Sequence, residues 1–187
     1  MLIGLVVIQI AGAAIYFFLL QNRPSQDETT FVANSELNQV SNTSPAALTL
    51  VTDAQTVKRN ETFAVSVQID TKGRPIEGVD VSLKYDAQFL EPVLVNKLPF
   101  VPSRLFSDIP FNAYNQDLGT ATMSAITPLN QNYSGSGVIG VITFKAKKSG
   151  TATIALQAEP ESTVDSNIVS EGKEILGETK NVQIVIE

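Results

Sequence analysis

Apolar and polar positions divide the chain into three regimes. From Leu2 to Leu20 the run LIGLVVIQIAGAAIYFFLL is interrupted only by Gln9 and carries no charge. From Gln21 to Pro45 the sequence QNRPSQDETTFVANSELNQVSNTSP is rich in Ser, Thr, Asn, Gln and acids. After Ala46 the period becomes two. Phe63, Val65, Val67 and Ile69 alternate with Ala64, Ser66 and Gln68, and Val79, Val81, Leu83 and Tyr85 with Asp80, Ser82 and Lys84. Ala121, Met123 and Ala125 share one face opposite Thr120, Thr122 and Ser124. Gly140 to Ala146, Ala152 to Gln157 and the closing Val182, Ile184 and Ile186 repeat the pattern. Strict alternation in short runs divided by Gly, Pro and Asn is the mark of half-buried strands.

Nine strands are expected, near 47–52, 62–70, 78–85, 90–96, 111–116, 119–126, 137–147, 150–158 and 181–186. Each has one wet and one dry face, so an antiparallel β-sandwich around a shared apolar interior follows. Lys72-Gly73 and Ser149-Gly150 mark turns that favour positive φ. Leu98 to Pro110 contains three prolines and is expected to be a loop crossing between sheets, and Pro160 to Asn181 to be a second long connection.

The apolar run predicts a transmembrane anchor helix over 1–21. At about 1.5 Å per residue it nearly spans a hydrocarbon layer roughly 30 Å thick. Tyr16, Phe17 and Phe18 then sit at an interface before the polar exit at Gln21-Asn22-Arg23. A cleaved signal peptide is the rival reading, since Ala11-Gly12-Ala13 has the small-x-small form. Apolar residues continue past Ala13 as far as Leu20, which disfavours cleavage there. A buried core helix is a third reading, but no helical partner is visible downstream. Residues 22–45 predict a flexible polar linker, and 46–187 a single domain. The flanking charges do not fix the orientation in the membrane.

Composition narrows the chemistry. Cys 0 and His 0 remove disulfides, thiolate nucleophiles, imidazole relays and the usual zinc sites. A net charge of −6 disfavours nucleic acid. Trp 0 weakens any flat aromatic platform for sugars. Asp80, Asp86, Glu91, Asp108 and Asp117 supply carboxylates, but no spacing brings two of them onto one bond, and Asp86 reads as a turn former. Asp53, Asp165 and Asn167 are conceivable calcium ligands, yet there is no acidic calcium-loop motif. No catalytic residue, metal or cofactor is expected. Tyr85 has the phase of a core residue, whereas Tyr114 and Tyr133 are candidates for outward stacking.

Several segments, in their order and spacing, resemble the cohesin domain, which captures dockerin domains in cellulosomes and related surface assemblies. They are VKRNETFAVSVQID, EGVDVSLKYDAQFLEPVLV with Tyr85-Asp86 before Phe89-Leu90-Glu91, the strand led by Gly119, GSGVIGVITFKAK, and a late segment around Asp165-Ser166-Asn167. The resemblance spans roughly Leu48 to Glu187. It implies a nine-stranded jelly-roll, related in fold to carbohydrate-binding modules. It also implies that a partner packs on the face of the third, fifth, sixth and eighth strands. Asp80 falls where dockerin-binding cohesins often carry an acid, and Tyr114 falls near an aromatic position on the fifth strand. The candidate partner-binding set is therefore Asp80, Ser82, Lys84, Tyr114, Thr120, Thr122 and Ser124. Two departures stand out: Gly78 replaces an Asn, and the Thr120-Thr122-Ser124 face lacks large apolar anchors.

Three functions follow as expectations. The first is a non-enzymatic adhesion or scaffold module, held outside the cell by the anchor and binding a protein partner, possibly dockerin-bearing. The second is a carbohydrate-binding module capturing polysaccharide. The third is a subunit of a surface filament or layer. It is the weakest, since Leu5 stands where type IV pilins carry Glu and no prepilin leader is visible.

Overall fold

The computed structural model describes residues 44–159, 162 and 164–187. The anchor expected over 1–21, and the linker apart from Ser44 and Pro45, lie outside the described residues. Among the described residues every regular element is a strand, and no helix is long and apolar enough to cross a membrane.

The strands are β1 (Ala46–Val51), β2 (Thr56–Val57), β3 (Thr62–Asp70), β4 (Gly78–Tyr85), β5 (Leu90–Val93), β6 (Phe100–Pro102) and β7 (Asp108–Asn115). They continue with β8 (Thr120–Ile126), β9 (Ser136–Ala146), β10 (Gly150–Leu156), β11 (Asn167–Ser170), β12 (Lys173–Glu174), β13 (Leu176–Lys180) and β14 (Val182–Ile186). They form two packed sheets. The first runs β13-β1-β3-β9-β5, with β6 continuing along β9 beyond β5. In the second, β4 pairs with β8 on one edge and with both β10 and β11 on the other. There β7 extends β8, and β14 and β2 extend β10.

Alternation sets which side chains meet between the sheets. Phe63, Val65, Val67 and Ile69 of β3 face Val79, Val81, Leu83 and Tyr85 of β4 and Ala121, Met123 and Ala125 of β8 across one core, all buried. Phe144 sits in the middle, its ring centroid 5.1 Å from Tyr85 and 6.0 Å from Phe63. Among the described residues, Phe100 and Phe144 are the bulkiest side chains almost wholly removed from water, and such aromatic burial dominates core energetics.

Among the described residues the strand count is fourteen rather than nine. The expected loop over Leu98 to Pro110 contains β6 and the start of β7, and the expected connection from Pro160 to Asn181 contains β11, β12 and β13. These additions are two to five residues long, apart from the first residues of β7. Such runs are too short to show a period, and they become strands only because a longer strand offers them a free edge. The sheets are also not purely antiparallel: β1 pairs with β13, and β14 with β2, in parallel. The expected turns are present, with positive φ at Lys72, Gly73 and Gly150.

Candidate functional site

The outward surface of the second sheet is built by β7, β8, β4 and β10 side by side. Pairing register places side chains on a common face, since residues directly opposite one another point the same way. Asp80 lies opposite Ser124, Ser82 opposite Thr122 and Lys84 opposite Thr120. These six candidates therefore stand in two adjacent columns. On the outer strand, Phe111, Ala113 and Asn115 lie opposite Ser124, Thr122 and Thr120 and add a third column. Ala155 of β10 lies opposite Lys84 and completes the surface.

Two candidates behave differently from expectation. Tyr114 is opposite Ala121, whose side chain is in the core, so Tyr114 projects from the other side of β7. It is 41% exposed there because β7 is an edge strand with little facing it. Ser82 has the outward phase but is only 4% exposed. Its hydroxyl donates to Gln157 Oε1 at 3.2 Å, and its backbone is clasped by Ser166, so the chain leaving β10 and entering β11 covers it. Asp80, Thr120, Thr122 and Ser124 are half-buried and Lys84 is exposed.

Phe111 and Ile126 were not among the candidates, yet both stand on this face, 51% and 40% exposed. They supply the large apolar anchors that the hydroxyl column lacks. A β-bulge between Asp108 and Phe111 sets this phase, placing both Asp108 and Phe111 on the outward side. Lys84 Nζ donates to the Leu118 carbonyl, which anchors one end of the face.

Of the carboxylates considered for chemistry, Asp86 does structural work. Asp86 Oδ2 accepts the Thr153 N–H at 2.8 Å, and its carbonyl accepts the N–H groups of Phe89 and Leu90 at 2.9 Å each, closing the turn expected there. Among the described residues no group of three or more acidic, His or Cys side chains is placed to hold a metal. Asp165 Oδ1 and Asn167 Oδ1 are buried without a hydrogen-bond partner. The other Asp165 oxygen accepts the Glu159 N–H. Tyr85 donates to Gln116 Oε1 at 3.0 Å, and burial pushes its phenol up to about 12. What remains exposed is a broad, open face of mixed polarity, suited to another surface more than to a small substrate.

Known proteins agree with this architecture. A type II cohesin domain from the cellulosome of Acetivibrio cellulolyticus superposes with a TM-score of 0.62 at 19% identity, over 75% of this chain and 95% of that one. A type II Cohesin-X-Dockerin complex from the same organism contains a chain matching with a TM-score of 0.62 at 18% identity, over 76% and 99%. The seventh ScaB type I cohesin from Pseudobacteroides cellulosolvens gives a TM-score of 0.55 at 15% identity, over 76% and 92%. At these identities the likeness is one of fold. No curated protein matches the chain in sequence. The sequence model of the cohesin domain, however, matches residues 48–184, nearly the whole described sandwich. Two sheets of this topology together with that match make the chain a member of the cohesin domain family, whose modules bind proteins and do not catalyse.

Proposed function

We propose that the chain binds a dockerin through the outward face of β7, β8, β4 and β10, and that it does so at the cell surface behind its N-terminal apolar segment. The observation that carries the binding reading is the composition of that face: Phe111 and Ile126 stand exposed at its edge around a column of small hydroxyls. A few large anchors amid modest polar contacts is how protein interfaces distribute their energy. One structural relative is a cohesin in complex with a dockerin partner, which supports the choice of partner class. The uncharged run Leu2–Leu20 and the polar stretch after it support a tethered arrangement. A glycan-binding reading is less well supported. Phe111 and Tyr114 project from opposite sides of β7, so their rings do not form one stacking platform.

Titration calorimetry of the full chain in nonionic detergent against a panel of dockerins tests the binding reading. One dockerin should bind with a Kd in the micromolar range or below. Thr122→Arg and Phe111→Ala should each weaken it about tenfold or more, while Gln68→Arg on the opposite sheet should leave it unchanged. Absence of any dockerin binding, or equal damage from Gln68→Arg, would sink the reading. Protease digestion of intact cells tests the location: the domain should be removed from outside while the apolar segment stays with the membrane.

A further inference from the structure

Gly78 opens a notch at one end of this face. It occupies the outward position two residues before Asp80, so the sheet surface there is bare backbone. Its φ lies outside the positive region, so the backbone conformation does not demand a glycine. The space beside it is tight: a Cβ at this position would stand 3.2 Å from the Ala125 carbonyl oxygen and 3.2 Å from Ile126 Cγ2, so these neighbours would have to give by a few tenths of an ångström. The result is an open depression of about 230 Å³ with Ile126 and Val169 as its apolar walls and Glu77 and Asp80 in its lining.

The charged residues that line the notch, Glu77 and Asp80, are both acids. Among the described residues no Lys or Arg lines it, and pairing brings Asp108 opposite Ile126 and Asn167 opposite Asp80. The Glu77 carboxylate is held in place by the N–H groups of Glu171 at 2.8 Å and Gly172 at 3.2 Å. The Asp80 carboxylate has no hydrogen-bond partner among the described residues. A purely aliphatic guest would cover Asp80 without compensating it, which costs free energy. An acidic guest would be repelled. A lysine or arginine meets both demands, because its methylene stem lies along apolar surface while its head reaches an acid.

We infer that the Gly78 notch receives a basic side chain of the partner, its stem against Ile126 and Val169 and its cationic head on Asp80 and Glu77. The partner's class rests on the dockerin reading; the chemistry of the guest does not. The notch is thus a selectivity element: it favours partners that present a basic residue at this point of the interface and disfavours those that present an acid.

The test uses N-acetyl-arginine amide and its neutral analogue N-acetyl-citrulline amide as probes. Each is titrated into the full chain in nonionic detergent and followed by backbone amide NMR. The arginine probe should move the resonances of Gly78, Ile126 and Val169, and the citrulline probe should not. Asp80→Asn should weaken the arginine response about two- to fivefold, the range for an exposed charge pair, and Gly78→Ala should weaken it further by narrowing the notch. Shifts scattered over the surface, or equal responses to both probes, would overturn the inference. Neither probe involves a dockerin, so this outcome is separate from the binding panel. A dockerin that binds while the arginine probe does not would leave the interface standing and remove the notch's role.

Discussion

Ser166 shows what one hydroxyl contributes at the residue scale. The edge of β4 is shared: Leu83 pairs with Leu156 of β10, and Asp80 pairs with Asn167 of β11. Between them neither strand supplies a complete ladder at Ser82. Ser166, fully buried, fills the break by accepting the Ser82 N–H at 3.0 Å and donating to the Ser82 carbonyl at 3.1 Å. The carbonyl keeps a second donor in the Gln157 N–H at 2.9 Å, whereas among the described residues the Ser82 N–H has Ser166 alone. Ser166→Ala therefore leaves a buried donor unsatisfied. Urea denaturation should show a loss of about 1–3 kcal/mol with an unchanged slope. Tyr85 yields a second prediction at this scale. Burial is the main cause of its raised phenol, with Tyr114 and Glu91 adding smaller electrostatic pushes. The folded state thus holds the proton more tightly than the unfolded chain, whose tyrosines ionise near pH 10. The resulting stabilisation is fully present below about pH 10 and is lost as pH rises towards about 12. Stability measured at pH 9 and at pH 11.5 should fall between the two, and Tyr85→Phe should flatten that fall.

Among the elements, the three-residue strand β6 has an outsized role because it ties the sheets together at their open edge. It pairs with β9 in the first sheet, Phe100 opposite Ile142. Its other side meets the Asn112 side chain of β7, which belongs to the second sheet. Asn112 Oδ1 accepts the Phe100 N–H at 3.2 Å and Nδ2 donates to the Phe100 carbonyl at 2.9 Å, so the amide imitates a strand backbone. Asn112→Ala should speed hydrogen exchange at the Phe100 amide more than at the β9 amides, and should cost about 1–3 kcal/mol. Equal acceleration across β9 would mean that β6 and β9 open together. None of this pairing is readable from sequence, because three residues carry no period and the clamp comes from a side chain twelve positions away. The long strands were legible: β3, β4, β8, β9 and β10 fall close to the alternating segments, and Tyr85 is in the core as its phase requires. The face of Tyr114 was not, because the bulge ahead of Phe111 had to be located before the phase of β7 could be assigned. Ser82 alternates as an outward residue and is covered only because Gln157 and Ser166 return to it from far along the chain. Gly78 was visible as a departure, whereas its notch depends on Ile126 and Val169 arriving from other strands.

At the scale of the whole molecule, the last residues close both sheets. β13 runs parallel to β1 in the first, and β14 lies between β10 and β2 in the second. The chain crosses from one to the other at Asn181, whose Oδ1 accepts the Leu156 N–H at 2.9 Å. The start of the domain is tied to the same place: the Ala46 N–H donates to the Ile175 carbonyl at 3.0 Å, and Gly177 has no room for a Cβ because Pro45 packs against it. A sandwich closed in this way depends on pairings remote in sequence, so it should fold as one slow cooperative unit. A fragment comprising residues 44–187 should show a single urea transition with coincident fluorescence and far-UV signals. One ending at residue 175 loses an interior strand of the second sheet and the buried Ile184 and Ile186 together, and should remain unfolded. Should the 44–187 fragment fail to fold while the full chain folds, residues before Ser44 would be part of the folded body, and the division into anchor, linker and binding domain would be wrong. A cooperative transition in that fragment, matched by dockerin binding as tight as the full chain's, would establish that the apolar segment determines where the module sits and the sandwich what it recognises.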